Sequence, residues 1–354
     1  MVPPNPANSD NRLDSIEACR GIAALLVLLY HASAFVQAPG YFAYRPLWGV
    51  FDWGFAGIDF FFVLSGFIIL WANRHLVGQP HAAPRYLRKR FLRIYPLYWL
   101  LTLPIILAYF VLPISRQGME TDLLAIVGSL TLFPIEPFPH LPVAWTLTYE
   151  MMFYVLFAAL LLHARAGLAL LVVWQMATLG HYLAGLSSPV SDVLLNPRNL
   201  QFGLGMLTAL AVSRGRVPAP VVCAATGAVL LVSLGLAWVA LGATSRPLWW
   251  FAFALSAALL VAGLAAAERR HGFRTPASLL LLGAASYSIY LLHYPVELVV
   301  VRGFKAAESW FAMSPFVIFV TAAVLALGGG LALHLLVEKP LLRRLRGGWT
   351  AAPG

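Results

Sequence analysis

Charge is scarce in this chain: 11% of its 354 residues are Asp, Glu, Lys or Arg, against 60% hydrophobic residues. Soluble domains carry about a quarter of their residues charged, so the composition excludes an ordinary soluble fold. Cysteine is nearly missing. Cys19 and Cys223 form no CxxC pair and offer neither a disulfide framework nor a metal site. No ten-residue alternation of apolar and polar positions runs through the chain, which excludes a transmembrane β-barrel. No convincing internal repeat is found. What remains, at a mean hydropathy of +0.80, is a series of continuous apolar blocks of roughly 18 to 22 residues, long enough to cross a bilayer as helices. The chain reads as an all-α polytopic membrane protein.

Ten blocks qualify as spans: 18–38, 54–73, 94–113, 143–162, 168–186, a short one at 199–213, 219–241, 248–267, 277–301 and 315–337. The domain organisation expected is a flexible N-terminus at 1–15, a ten-helix membrane domain at 16–340 and a short tail at 341–354. The segment MVPPNPANSDNRLDSIEACRG is too polar for a cleavable signal, so the first span is expected to be an uncleaved anchor. Residues 119–143 hold about a dozen apolar positions ended by Pro134, Pro137, Pro139 and Pro142. That length suits an interfacial or re-entrant segment rather than a crossing.

The formal charge is +10. The basic residues follow the loops between spans, so they speak for topology and membrane lipids rather than for a nucleic-acid partner. With both termini in the cytoplasm, Arg45, Arg116, Arg198, Arg246, Arg302 and Lys305 face outward, and the remaining eighteen of the 24 Lys and Arg face inward. This asymmetry sets the orientation. Making residues 119–135 a true crossing would invert every later loop and destroy it.

Given that orientation, depths follow at about 1.5 Å per helical residue. Arg20 lies at the inner face, and His31, with ten residues between them, lies roughly 18 to 20 Å above that face. Asp59 and Glu150 fall at roughly 20 to 24 Å and His293 near 24 Å. Four ionisable groups on four helices thus share one layer. Each alone is explained as well by a structural hydrogen bond. Together they read as a proton-handling site, in which a carboxylate fixes the tautomer of a histidine.

A second cluster lies in YLRKRFLRIYP. Arg85, Lys89 and Arg93 recur every four residues, and Arg90 and Arg93 are three apart, so they share helical faces. They serve either as topogenic charge facing anionic headgroups or as a cytoplasmic polyphosphate site. Ser65, within GIDFFFVLSGF, is read as packing, and Ser286 and Ser288 as hydrogen bonds inside the bundle.

Taken together, Arg20 and His31, GIDFFFVLSGF, RKRFLRIYP, WTLTYEMMFY around Glu150, SYSIYLLHYP around His293 and VEKP at 337–340 resemble, in order, the blocks of the integral-membrane acyltransferase family (acyltransferase 3) that O-acylates carbohydrates. The resemblance covers about residues 12 to 345 and is strongest to stand-alone exopolysaccharide and O-antigen acetyltransferases of the bacterial inner membrane. It implies ten spans with cytoplasmic termini, acetyl-CoA or another acyl-CoA as donor, no metal, and a sugar hydroxyl as acceptor. Beside it, the buried layer is read with His31 as general base on the acceptor hydroxyl, Glu150 or Asp59 orienting its ring and His293 in the same site, a covalent acyl-histidine relay staying open. Arg20, Lys89, Arg90 and Arg93 would hold the donor's phosphates. Two rival readings are a transporter coupled through the buried His/Asp/Glu layer and a non-catalytic scaffold of a polysaccharide assembly.

Overall fold

The computed structural model describes residues 13–111, 121–134, 139–188, 190–242, 247–311 and 313–347. Most of the expected flexible N-terminus, the end of the tail, Arg116, Pro137 and Arg246 lie outside the described residues. The helices, in chain order, are α1 (Asp14–Gln37), α2 (Ala56–Asn73), α3 (Ala82–Val111), α4 (Leu123–Thr131), α5 (Trp145–Leu162), α6 (Ala164–Leu183), α7 (Ser191–Leu194), α8 (Asn199–Ser213), α9 (Pro220–Leu241), α10 (Pro247–His271), α11 (Ala277–Ala284), α12 (Ser286–Ala306) and α13 (Pro315–Leu333). A π-helical turn, His334–Glu338, then leads into α14 (Lys339–Gly347). No strand occurs among the described residues.

Among the described residues, eight helices are long and apolar enough to cross a membrane, or nine if α11 and α12, bent by 67° at their junction, count as one span. The short sixth block is α8, with 15 residues, about 22 Å of helix against a core of about 30 Å. Three expectations change. The basic segment and the third block are one helix of 30 residues, because nothing between Ala82 and Val111 breaks it except Pro96 and Pro104, which it absorbs. The ninth block is broken at Ala285. The tail from 339 begins as a helix.

The chain divides into two compact units, residues 1–30, 47–75 and 200–286, and residues 31–46, 76–199 and 287–354. In the first unit, α1, α2, α8, α9, α10 and α11 pack through glycines. A Cβ on Gly66 would lie 2.1 Å from the Phe202 carbonyl oxygen, and one on Gly205 would lie 2.1 Å from that of Val63. Helices α2 and α8 therefore touch backbone to backbone, as small residues permit in apolar surroundings. Phe60, Val63, Leu64, Phe67, Ala254, Ala257 and Val261 fill the core beside them. The first orphan N–H groups of α1 are capped from α10. Glu268 accepts from the Asp14 and Ser15 amides at 2.8 and 2.9 Å and from Ser15 Oγ at 2.5 Å.

In the second unit, α4 has nine residues, about 13 Å of helix, which does not cross a bilayer. Its last carbonyls would be costly in an apolar setting, and three aromatic donors on α3 satisfy them. Tyr98 donates to the Ser129 carbonyl at 2.8 Å, Trp99 to Leu130 at 2.8 Å and Tyr95 to Thr131 at 2.6 Å. Many large apolar side chains on α3, α6 and α13, such as Leu107, Val173 and Val324, stay exposed. This is what helices facing lipid require and water does not tolerate.

Candidate active site

The second unit brings together two of the layer's four groups. His31 comes from α1 and His293 from α12, and His31 Nδ1 lies 3.3 Å from His293 Nε2. His293 is fully buried, and its Nδ1 lies 3.2 Å from the Ile289 carbonyl oxygen. A carbonyl only accepts, so His293 carries its proton on Nδ1 and leaves Nε2 bare. The bare Nε2 then takes the His31 Nδ1–H, which fixes the tautomer of His31. The Tyr294 ring stands edge-on to His31 at 5.5 Å and against Phe35 at 4.9 Å, and holds the imidazole in place.

His31 and Tyr294 border an open cavity of about 330 Å³, lined also by Pro139, Pro142, Val143 and Trp145. The volume falls in the range that small-molecule sites occupy. Below the pair, the Tyr290 ring lies 5.7 Å from His293, and its hydroxyl is tied to Thr146 Oγ1 at 2.8 Å and the Val143 carbonyl at 2.9 Å. The cavity wall from α5 is thereby locked to α12.

Glu150 sits among aromatic rings and a cation. Tyr154 OH donates to Glu150 Oε1, and the Arg90 guanidinium lies 5.5 Å over the rings of both Tyr86 and Tyr154. Arg90 Nε is buried without a partner, while Lys89 beside it is exposed. Arg93 is committed elsewhere. Its Nη1 pairs with Glu338 Oε1 at 2.5 Å, and the other oxygen of Glu338 accepts from Ser288 Oγ and meets His334 Nδ1, both at 2.7 Å. Arg93 is thereby half of a partly buried ion pair, with Glu338 as the enclosed partner.

The remaining expected residues belong to the first unit. Asp59 is buried on α2, and Gln201 donates to its Oδ1 at 2.8 Å. Arg20 meets Glu17 at 3.3 Å and donates to Ser286 Oγ at 3.1 Å. Both serine expectations hold, since Ser286 and Ser288 serve hydrogen bonds within the bundle. The sequence reading missed Glu338 and His334 as partners, Tyr154 as the support of Glu150, and Trp145 and Tyr294 as cavity walls. The acidic residue set into the basic VEKP stretch was the one available signal for Glu338.

A family model described as an acyltransferase domain matches residues 13–335. The chain belongs to that acyltransferase family. The exopolysaccharide production protein ExoZ of Rhizobium meliloti is 31% identical over 84% of this chain and 92% of its own length. The acyltransferase MdmB of Streptomyces mycarofaciens is 28% identical over 94% and 92%. The putative membrane-bound transacylase BcsY of Komagataeibacter xylinus is 26% identical over 80% and 73%. No solved structure matches the chain. Family and helices together make it a multi-pass membrane acyltransferase.

Proposed function

We propose that this acyltransferase moves an acetyl or other short acyl group from cytoplasmic acyl-CoA to a hydroxyl of a cell-surface or lipid-linked glycan. The observation that carries the reading is the His31–His293 contact at 3.3 Å beside a cavity that His31 itself lines. His31 draws the proton from the acceptor hydroxyl, the oxygen attacks the thioester carbonyl, the C–S bond breaks, and the imidazolium returns its proton to the departing thiolate. His293, rather than Glu150 or Asp59, orients the ring and takes part of the developing charge. Glu150 fixes Tyr154, and Asp59 keeps a structural part with Gln201. The acceptor class is drawn from relatives whose names speak of exopolysaccharide and of transacylation.

For the donor, Arg90 is the cation best suited to the phosphates of CoA. Two tyrosine rings hold its guanidinium partly desolvated, which strengthens its hold on an anion. Lys89 adds charge at the mouth. The orientation proposed is ten spans with both termini in the cytoplasm of a bacterial inner membrane, counting α8 as a short span.

The test is kinetic. Arg90→Ala is expected to raise the KM for acetyl-CoA about tenfold or more, since a charge-assisted hydrogen bond is worth about 1.5–3 kcal/mol, with the acceptor KM unchanged. An unchanged donor KM would assign Arg90 to topology and overturn the donor site.

A further inference from the structure

One turn beyond His293 on α12, Glu297 is fully buried, and neither oxygen of its carboxyl has a hydrogen-bond partner among the described residues. The other enclosed carboxyl of this unit, Glu338, is matched on both oxygens. A carboxyl stripped of water and given nothing in return weakens the fold whether ionised or neutral. A ligand that supplies the missing partners explains why such a group is kept.

The helix says where that ligand lies. At 3.6 residues per turn, Glu297 stands about 6 Å along the axis from His293 and about 40° round toward Tyr294. Tyr294 walls the cavity with His31, and the Glu297 carboxyl lies within electrostatic reach of the Tyr294 side chain. Glu297 is not among the residues that line the cavity, so contact with an occupant needs a side-chain movement at Tyr294 or Glu297. Ionised or protonated, the carboxyl has acceptor oxygens to fill, and donors on a ligand fill them. An alcohol with one hydroxyl spends its donor on His31 and leaves Glu297 unmatched. A ligand with adjacent hydroxyls serves both.

We propose that Glu297 binds the acyl acceptor, accepting a hydrogen bond from a hydroxyl next to the one His31 deprotonates, so that the acceptor is a vicinal diol of the kind a sugar ring carries. The inference rests on the acyltransferase reading above. In the proposed orientation Glu297 lies on the outer side of the histidine pair, where an acceptor arrives first. The residue acts on acceptor binding and leaves the donor untouched.

The experiment uses the full chain in lipid nanodiscs with labelled acetyl-CoA. Membranes of the parent strain lacking the gene serve as acceptor, and thermal unfolding is followed in parallel. Glu297→Leu is expected to unfold at a higher temperature than wild type, to need about tenfold more acceptor for half-maximal transfer, and to keep the wild-type KM for acetyl-CoA. Glu297→Gln, which retains an acceptor oxygen, is expected to recover most of the acceptor affinity. An unchanged acceptor dependence in Glu297→Leu overturns the proposal. So does a lowered unfolding temperature with both KM values disturbed, which marks a structural residue. Failure of the wild type itself to transfer acetyl groups would bring down the acyltransferase reading, and this inference with it.

Discussion

His31 takes its tautomer from its contact with His293. The Ile289 carbonyl, through His293, decides which nitrogen of His31 carries the proton. That each histidine sits within a long helix was legible in the sequence. Their pairing was not, because it depends on how two helices are rotated about their axes, and apolar spans without a polar face carry no such information. Arg93 shows the same limit. Spacing placed it with Arg90 on one helix, but its partner Glu338 is 245 residues away. At this scale the account predicts that Glu338→Ala costs about 3–5 kcal/mol of stability, because it strands Arg93 in an enclosed site and also frees Ser288 and His334. Denaturant unfolding of the detergent-solubilised protein checks this. A loss below about 1 kcal/mol would mean that Arg93 reaches water when Glu338 is gone.

Among the elements, α4 was the best anticipated. Its dozen apolar residues and the prolines after them announced a segment too short to cross, and nine helical residues are what forms. The three α3 aromatics that cap its carbonyls could have been noticed only by knowing that the two elements meet. The bend between α11 and α12 and the π turn at His334–Glu338 were invisible, since both stretches read as uninterrupted apolar helix. The contact of α2 with α8 rests on the absence of side chains. Gly66→Ala would press a methyl group to within 2.1 Å of a backbone oxygen and force the helices apart, at about 1–3 kcal/mol. A thermal unfolding midpoint lowered for Gly66→Ala but not for Gly180→Ala, where nothing lies within 4 Å of the added Cβ, is the expected outcome. Equal effects at both sites would point to helix propensity or lipid contact instead.

For the molecule as a whole, low charge, long apolar blocks and basic residues on one side give a multi-pass membrane protein before any contact is known. The number of spans depends on α8. Among the described residues eight or nine helices suffice to cross by length and apolarity; in the proposed orientation nine of them and the short α8 make ten, with both termini on the side rich in Lys and Arg. In the proposed reaction a charged donor enters from the cytoplasm and a glycan is modified from the other face. Sealed inside-out membrane vesicles test this most directly, with labelled acetyl-CoA supplied only to the exposed cytoplasmic face. Wild type is expected to label glycan inside the vesicles. His31→Ala, at equal protein amount, is expected to lower the rate by about 10²–10⁴-fold. Undiminished labelling by His31→Ala would contradict the account at its centre.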